Sequence, residues 1–418
     1  MKKIRAALLG AGARGFGSYG PYATRHPQRF EFVAVAEPDP GRRERFAKEH
    51  NLAPENCYES WEELLEQDQM CEAMLICTQD QMHYEPTKLA LEKGYHVLLE
   101  KPISPVPQEC LALAQLAQEK QRVLMICHVL RYTAFFSAIK EIIEQGRLGK
   151  IISVSHHENV GYWHQAHSFV RGSWRNSKES SPMILAKSCH DMDLLLYLIG
   201  GHCNRISSFG DLTFFKEENA PRGAAKRCLD CPLESKCAYS ACKLYLTDNT
   251  DWPTNVISLD TSLRARIEAL RTGPYGRCVF HCDNDVVDHQ VTNMEFSNGV
   301  TATFTMCAFS KLTSRTLKIM GTEGELRATT VGDKIQVLPF LTGQVEDITI
   351  PPATTGHGGG DEGIMERFLL EIERGCNSDD PITSPWISSH SHMMAFAAEK
   401  SRVSGKVLDI EEFTQQFK

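Results

Sequence analysis

A chain of 418 residues, with 42% hydrophobic and 23% charged content, exceeds a comfortable single core, so two domains or one heavily elaborated domain are expected. A formal net charge of -8 argues against a nucleic-acid or anionic-membrane surface, and the lack of any run of roughly 18 apolar residues argues against a membrane span. Small soluble partners are the expectation that remains.

Two lysines precede an apolar stretch at the start, but Arg5 interrupts it and the glycines that follow suit a phosphate-binding turn better than a cleavage site. No export signal is read, and fifteen cysteines then point to reduced thiols in the cytoplasm, with metal binding as one use for them.

From Ile4 to Cys127 short β-branched runs alternate with helix-like stretches, the pattern of a parallel sheet with helices on both faces. Strands are predicted at Ile4–Leu9, Phe30–Ala36, Ala73–Thr78, Tyr95–Leu99 and Arg122–Cys127, with a helix at Pro107–Lys120 and Gly94 as a helix C-cap. This is a doubly wound α/β Rossmann domain, assigned to residues 1–128.

Gly10, Gly12 and Gly15 follow the first strand and open a helix. Glycine there permits the tight turn and lets backbone amides approach a pyrophosphate. Glu37 ends the second strand about 22 residues later, where its carboxylate can accept from adenosine ribose hydroxyls and repel a 2′-phosphate. NAD is therefore expected over NADP, although Arg14, Arg42 and Arg43 lie close in sequence.

Residues 129–418 are read as an α+β domain with a large, mainly antiparallel sheet. A helix at Phe135–Gln145 leads in. Asn298-Gly299 joins strands Gln290–Phe296 and Thr301–Cys307, and Gly321–Gly324 joins Leu317–Met320 to Glu325–Thr329. Gly356–Gly360 reads as a flexible loop before helices at Glu362–Arg374 and Ser388–Ser404. His156, His157, Trp163, His164, His167, Arg171, Trp174, Arg175 and Asn176 form a dense aromatic and hydrogen-bonding set of the kind that holds a polyol. An insert at about 215–285 carries Cys228, Cys231, Cys237 and Cys242, with Cys278 and Cys282 beyond. Such thiolates suit a structural zinc, with an iron–sulfur cluster, a redox pair and unliganded thiols as alternatives.

At Glu100-Lys101-Pro102, after the fourth predicted strand, the chain resembles the Gfo/Idh/MocA oxidoreductases, named for glucose-fructose oxidoreductase and inositol dehydrogenase. The glycine turn, Thr78, His83, the Glu-Lys-Pro triplet and His190-Asp-Met-Asp193 carry the resemblance. It implies that Gly10, Gly12, Arg14, Gly15, Glu37, Thr78, His83, Glu100, Lys101 and Pro102 meet the dinucleotide. It also implies that Lys101 orients the reacting oxygen and that His190 serves as general acid/base. Where relatives commonly place an aspartate four residues before the histidine, this chain has Ala186 followed by Lys187, and Lys187 is expected to supply a cation there. The resemblance selects Cys278 as the fourth zinc ligand beside Cys228, Cys231 and Cys237, with Cys282 and Cys242 as alternatives.

The expected activity is NAD-dependent oxidation or reduction of a sugar or cyclitol hydroxyl. A redox-neutral glycoside-cleaving enzyme and a non-catalytic NAD or sugar sensor are the rivals. A homodimer or homotetramer, paired through the exposed sheet face, is expected.

Overall fold

Along the first strand, β1 (Ile4–Leu9), alternate side chains face opposite sides of the sheet. Ala6 and Leu8 enter one apolar layer, Ala7 and Leu9 the other, so this strand is buried on both faces. The computed structural model describes residues 3–353, 356–375 and 384–418. Around β1 lie β2 (Phe30–Ala36), β3 (Cys57–Tyr58), β4 (Ala73–Ile76), β5 (His96–Leu99) and β6 (Leu124–Ile126). All are parallel, in the order β3-β2-β1-β4-β5-β6. The order reverses between β1 and β4, which creates a crevice at their carboxyl ends where such sheets bind ligands. The two-residue β3 was not predicted: two residues carry no readable alternation.

The second sheet has nine strands, ordered β14-β13-β12-β11-β7-β10-β9-β8-β15. They are β7 (Ile151–Gly161), β8 (Cys203–Asp211), β9 (His289–Phe296), β10 (Thr301–Ser310), β11 (Ser314–Gly321), β12 (Gly324–Thr329), β13 (Lys334–Pro339), β14 (Glu346–Thr349) and β15 (Leu408–Asp409). Only β7 and β10 run parallel. Both predicted hairpins form: Gly299 supplies the positive-φ turn residue of the first, and Gly321 and Gly324 let the second pass close to the Leu148 and Leu338 carbonyls.

On β10, Ala302, Phe304, Met306 and Ala308 face inward, and Thr301 and Thr303 outward. The inward face packs against helices Cys189–Ile199 and Pro385–Ser404 through residues such as Leu195, Met394 and Ala397. Helix Gly360–Arg374 returns to the first sheet and buries Ile364, Met365, Phe368 and Leu369 against the layer holding Ala6 and Leu8. Each such side chain contributes about 1.5–3 kcal/mol. Part of the expected Gly356–Gly360 loop is ordered as a tight helical turn, His357–Gly359, and Gly360 already begins the helix.

Among the described residues, no helix is long and apolar enough to cross a membrane.

Candidate active site

The glycine turn leaves β1 at the crevice. Gly10 has φ of +91°, and a Cβ there would lie 2.6 Å from the Cys77 carbonyl oxygen. A Cβ on Gly15 would collide with the Gly10 carbonyl oxygen and Leu8. At Gly12 a Cβ would meet only Arg42 Nη1, at 4.0 Å, so this backbone faces open space. That is the shape a pyrophosphate requires, at the N-terminal side of the helical segment that starts at Gly15.

Glu37 is buried at the end of β2, where its two oxygens accept from the amides of Ala11, at 2.8 Å, and Asp39, at 3.0 Å. The carboxylate thus braces the glycine turn and keeps its charge at the crevice edge. Arg14, expected to meet the cofactor, turns its guanidinium inward. It donates to Glu100 Oε1, Ser18 Oγ, Tyr19 Oη and Asp361 Oδ1, at 2.6–2.9 Å. A carboxylate-lined, desolvated slot uses the cation internally, so the side chain does not reach out to a phosphate.

His83 is also committed to the protein. Its Nδ1 lies 2.6 Å from the Pro102 carbonyl oxygen and its Nε2 3.2 Å from that of Thr78, tying the ends of β4 and β5 together. Thr78 Oγ1 donates to the Met82 carbonyl.

Lys101 leaves the carboxyl end of β5. Its amide donates to Glu100 Oε2, and its Nζ donates to the Ala186 carbonyl at 2.8 Å and stands 5.8 Å over the Trp174 ring. The position where an aspartate was expected therefore contributes a backbone oxygen to the lysine.

His190 lies in the first turn of helix Cys189–Ile199, with its Nδ1 buried and without a hydrogen-bond partner. Burial first, then Lys101 and His128, hold its pKa well below the ordinary value, which favours the neutral imidazole. The His128 ring is 5.8 Å away, edge to face.

Lys187 Nζ lies 3.3 Å from Glu158 Oε1. Arg315 Nη2 lies 2.5 Å from Glu158 Oε2, and Arg315 Nε donates to Asp191 Oδ1 at 2.7 Å. His156 Nε2 meets the same Asp191 oxygen at 2.7 Å. Burial lowers the Lys187 pKa despite Glu158; burial raises that of Asp191, but Arg315 and His156 outweigh it and hold the carboxyl ionised. The structure thus brings Lys101, Lys187 and His190 into one neighbourhood, together with Glu158, Arg315 and His128, which sequence reasoning did not single out. Nothing in the local sequence links Glu158 on β7 to Arg315 on β11; the strand pairing does.

The aromatic and polar set at 156–176 does not act as one wall. Trp174 and His164 adjoin the lysines, while His157 faces the other side of the sheet, His167 bonds Tyr245, and Arg175 and Asn176 bind Asp283. Arg171 is buried in the insert, donating to the carbonyls of Arg277 and Tyr239.

Cys228, Cys231, Cys237 and Cys278 do line one cavity of about 340 Å³. Yet among the described residues no three His, Cys, Asp or Glu side chains are gathered to hold a metal ion, so the expected structural zinc has no support in the geometry. Cys228 Sγ is instead engaged by the Ala241 amide at 3.4 Å and by Arg171 Nη2 at 3.6 Å, and the insert packs through Tyr245 and Leu270.

Comparison with known proteins agrees with this architecture. Residues 4–128 match the model of the Gfo/Idh/MocA oxidoreductase family with its NAD-binding Rossmann fold, and residues 136–327 match the Gfo/Idh/MocA C-terminal domain. The NAD(+)-dependent scyllo-inositol 2-dehydrogenase of Bacillus subtilis is 24% identical over 282 residues, 66% of this chain and 69% of that one. A 2,7-anhydro-N-acetylneuraminate hydratase of Mediterraneibacter gnavus is 26% identical over 210 residues, 50% of this chain. The chain spans about half the length of that relative, 53%. Levoglucosan dehydrogenase, solved with NADH and L-sorbose, superposes with a TM-score of 0.74 at 19% identity, covering 98% of this chain and 99% of its own. With both domain models matched in order, the chain belongs to the Gfo/Idh/MocA family of NAD-binding oxidoreductases.

Proposed function

We propose that the protein is an NAD-dependent dehydrogenase acting on a hydroxyl of a sugar or cyclitol. The observation that carries this reading is that Lys101, at the carboxyl edge of the Rossmann sheet, is anchored on the Ala186 carbonyl, four residues before the buried His190. NAD, when bound, supplies the hydride acceptor. The glycine turn, the Arg14 backbone, Glu37, Thr78, His83, Glu100 and Pro102 shape its site, with Glu37 favouring NAD over NADP. Lys101 orients the reacting oxygen from its Ala186 anchor, and the His190 imidazole takes the hydroxyl proton. Lys187, held by Glu158, places a second ammonium beside them.

A second reading is a redox-neutral enzyme that oxidises a sugar, eliminates its aglycone and restores the hydroxyl. Ala186 and Lys187, in place of the expected aspartate, favour it, because they alter the proton route. Incubation with NAD and a panel of sugars, cyclitols and aryl glycosides tests both, with NADH absorbance and aglycone release followed together. NADH formation that Lys101→Ala abolishes supports the dehydrogenase; aglycone release without NADH supports the second reading; neither, across the panel, removes both.

We further propose self-association through the outer face of the nine-stranded sheet, where the paired neighbours Phe209 and Val291 are exposed. A monomeric mass in light scattering at micromolar concentration would contradict it.

A further inference from the structure

The charged groups around Lys101 and His190 are sorted by sign. Lys187 and Arg315 keep 16% and 12% of their side-chain surfaces open, whereas the carboxylates that pair with them, Glu158 and Asp191, have none. Two other nearby carboxylates are also covered. Asp80 accepts from Trp174 Nε1, Ser180 Oγ and Ser181 Oγ, and Asp193 accepts from Arg131. Lys101 Nζ donates to a carbonyl, not to an acid.

We propose, on the dehydrogenase reading above, that the substrate is a sugar acid whose carboxylate is received by Lys187 and Arg315. The ion pairs Lys187–Glu158 and Arg315–Asp191 act as dipoles with their positive ends toward the ligand, in a site dry enough for such dipoles to act strongly. A neutral polyol needs acceptors for its hydroxyl protons, and here the side-chain carboxylates that would serve are buried or already bonded. Arg315 spends its Nε and Nη2 edge on Asp191 and Glu158, which leaves its Nη1 end and the Lys187 ammonium to meet the ligand carboxylate. His164, which adjoins the lysines, has its pKa lowered by burial and then by Lys187, which agrees with a positive field in the site.

The test uses the full-length protein loaded with NADH and matched pairs of ligands, glucose with glucuronate and galactose with galacturonate, titrated by calorimetry. At least one acid is expected to bind about tenfold more tightly than its neutral partner, a difference that Lys187→Met removes and Lys187→Arg retains. Equal or weaker binding of the acids, or no binding of either member, overturns the proposal, and the wild-type comparison decides this even if Lys187→Met folds poorly. Turnover with NAD is measured separately. Acid-selective binding without NADH formation sustains the substrate class while the dehydrogenase reading fails. NADH formation from a neutral sugar without acid preference overturns the substrate class alone.

Discussion

Arg14 donates its Nε–H to Glu100 Oε1 at 2.6 Å, which joins the glycine turn on β1 to the residue that precedes Lys101 after β5. Tyr19 donates to the same oxygen, and Asp361 from helix Gly360–Arg374 takes a second bond from the guanidinium. Three elements that shape the cofactor crevice are thereby held by one buried ionic cluster.

Glu100→Gln leaves the part-buried Arg14 with Asp361 as its charged partner. The expected loss is on the order of 3 kcal/mol in urea unfolding, with weaker NADH binding measured by fluorescence titration. In a double-mutant cycle with Arg14→Met the two changes are expected to couple by about 1–3 kcal/mol. Strict additivity would show that the pair does not organise the turn.

Lys101→Ala is expected to lower kcat on the order of 10²- to 10⁴-fold while the Kd for NADH changes little, because the ammonium acts on the reacting oxygen and not on the pyrophosphate. His190→Asn is expected to do likewise. Since burial and Lys101 keep the His190 pKa low, kcat/KM of the wild type should not fall as an ordinary histidine protonates near pH 6.5. A steady-state pH profile between 5 and 8 that breaks at that point would show that the His190 pKa is not held down, and a break that persists in His190→Asn would assign it to another group.

On the proposed reading, Glu37 sets the preference between cofactors. Its carboxylate is fixed by the amides of Ala11 and Asp39, while Arg43 Nη1 donates to its backbone carbonyl at 2.6 Å and Arg42 approaches Gly12. Glu37→Ser removes the negative charge and leaves both arginines, so affinity for NADPH relative to NADH should rise about tenfold. Parallel titrations with the two reduced cofactors check this, and an unchanged ratio would shift the selectivity to other residues.

Stability should decline on mild acidification. Burial, then His128, lowers His392 to about 3; burial lowers His50 to about 4, and burial then His202 does the same for His390. Above about pH 6.5 these groups are neutral in both states and the full stability is present. As pH falls from there toward the folded values, the unfolded chain takes up protons that the folded chain refuses, and stability is lost. His392, whose Nε2 accepts the Ile103 amide, should by itself cost about 2 kcal/mol between pH 7 and pH 5. Urea midpoints at the two pH values measure the sum, and His392→Gln should reduce the slope.

By itself the sequence determined the features that depend on near neighbours. Strands β1 and β2, the glycine turn, both hairpins and the helices at Pro107–Glu119 and Pro385–Ser404 were legible, because periodicity and turn chemistry act within a few residues. Lys101 and His190 were singled out through the motifs that surround them, and the structure places them in one neighbourhood. Tertiary structure alone decided the rest. The parallel pairing of β7 with β10, and the seating of helix Gly360–Arg374 on the first sheet, depend on contacts between distant segments that leave no local pattern. The same holds for the site's electrostatics: Glu158, Arg315 and Asp191 meet because two strands and a helix converge. Arg14 shows the reverse case, a residue whose local context pointed outward to a phosphate. Glu100, just after β5, and Asp361 on helix Gly360–Arg374 hold it inward, through ion pairs whose directed hydrogen bonds offset the cost of desolvating the guanidinium.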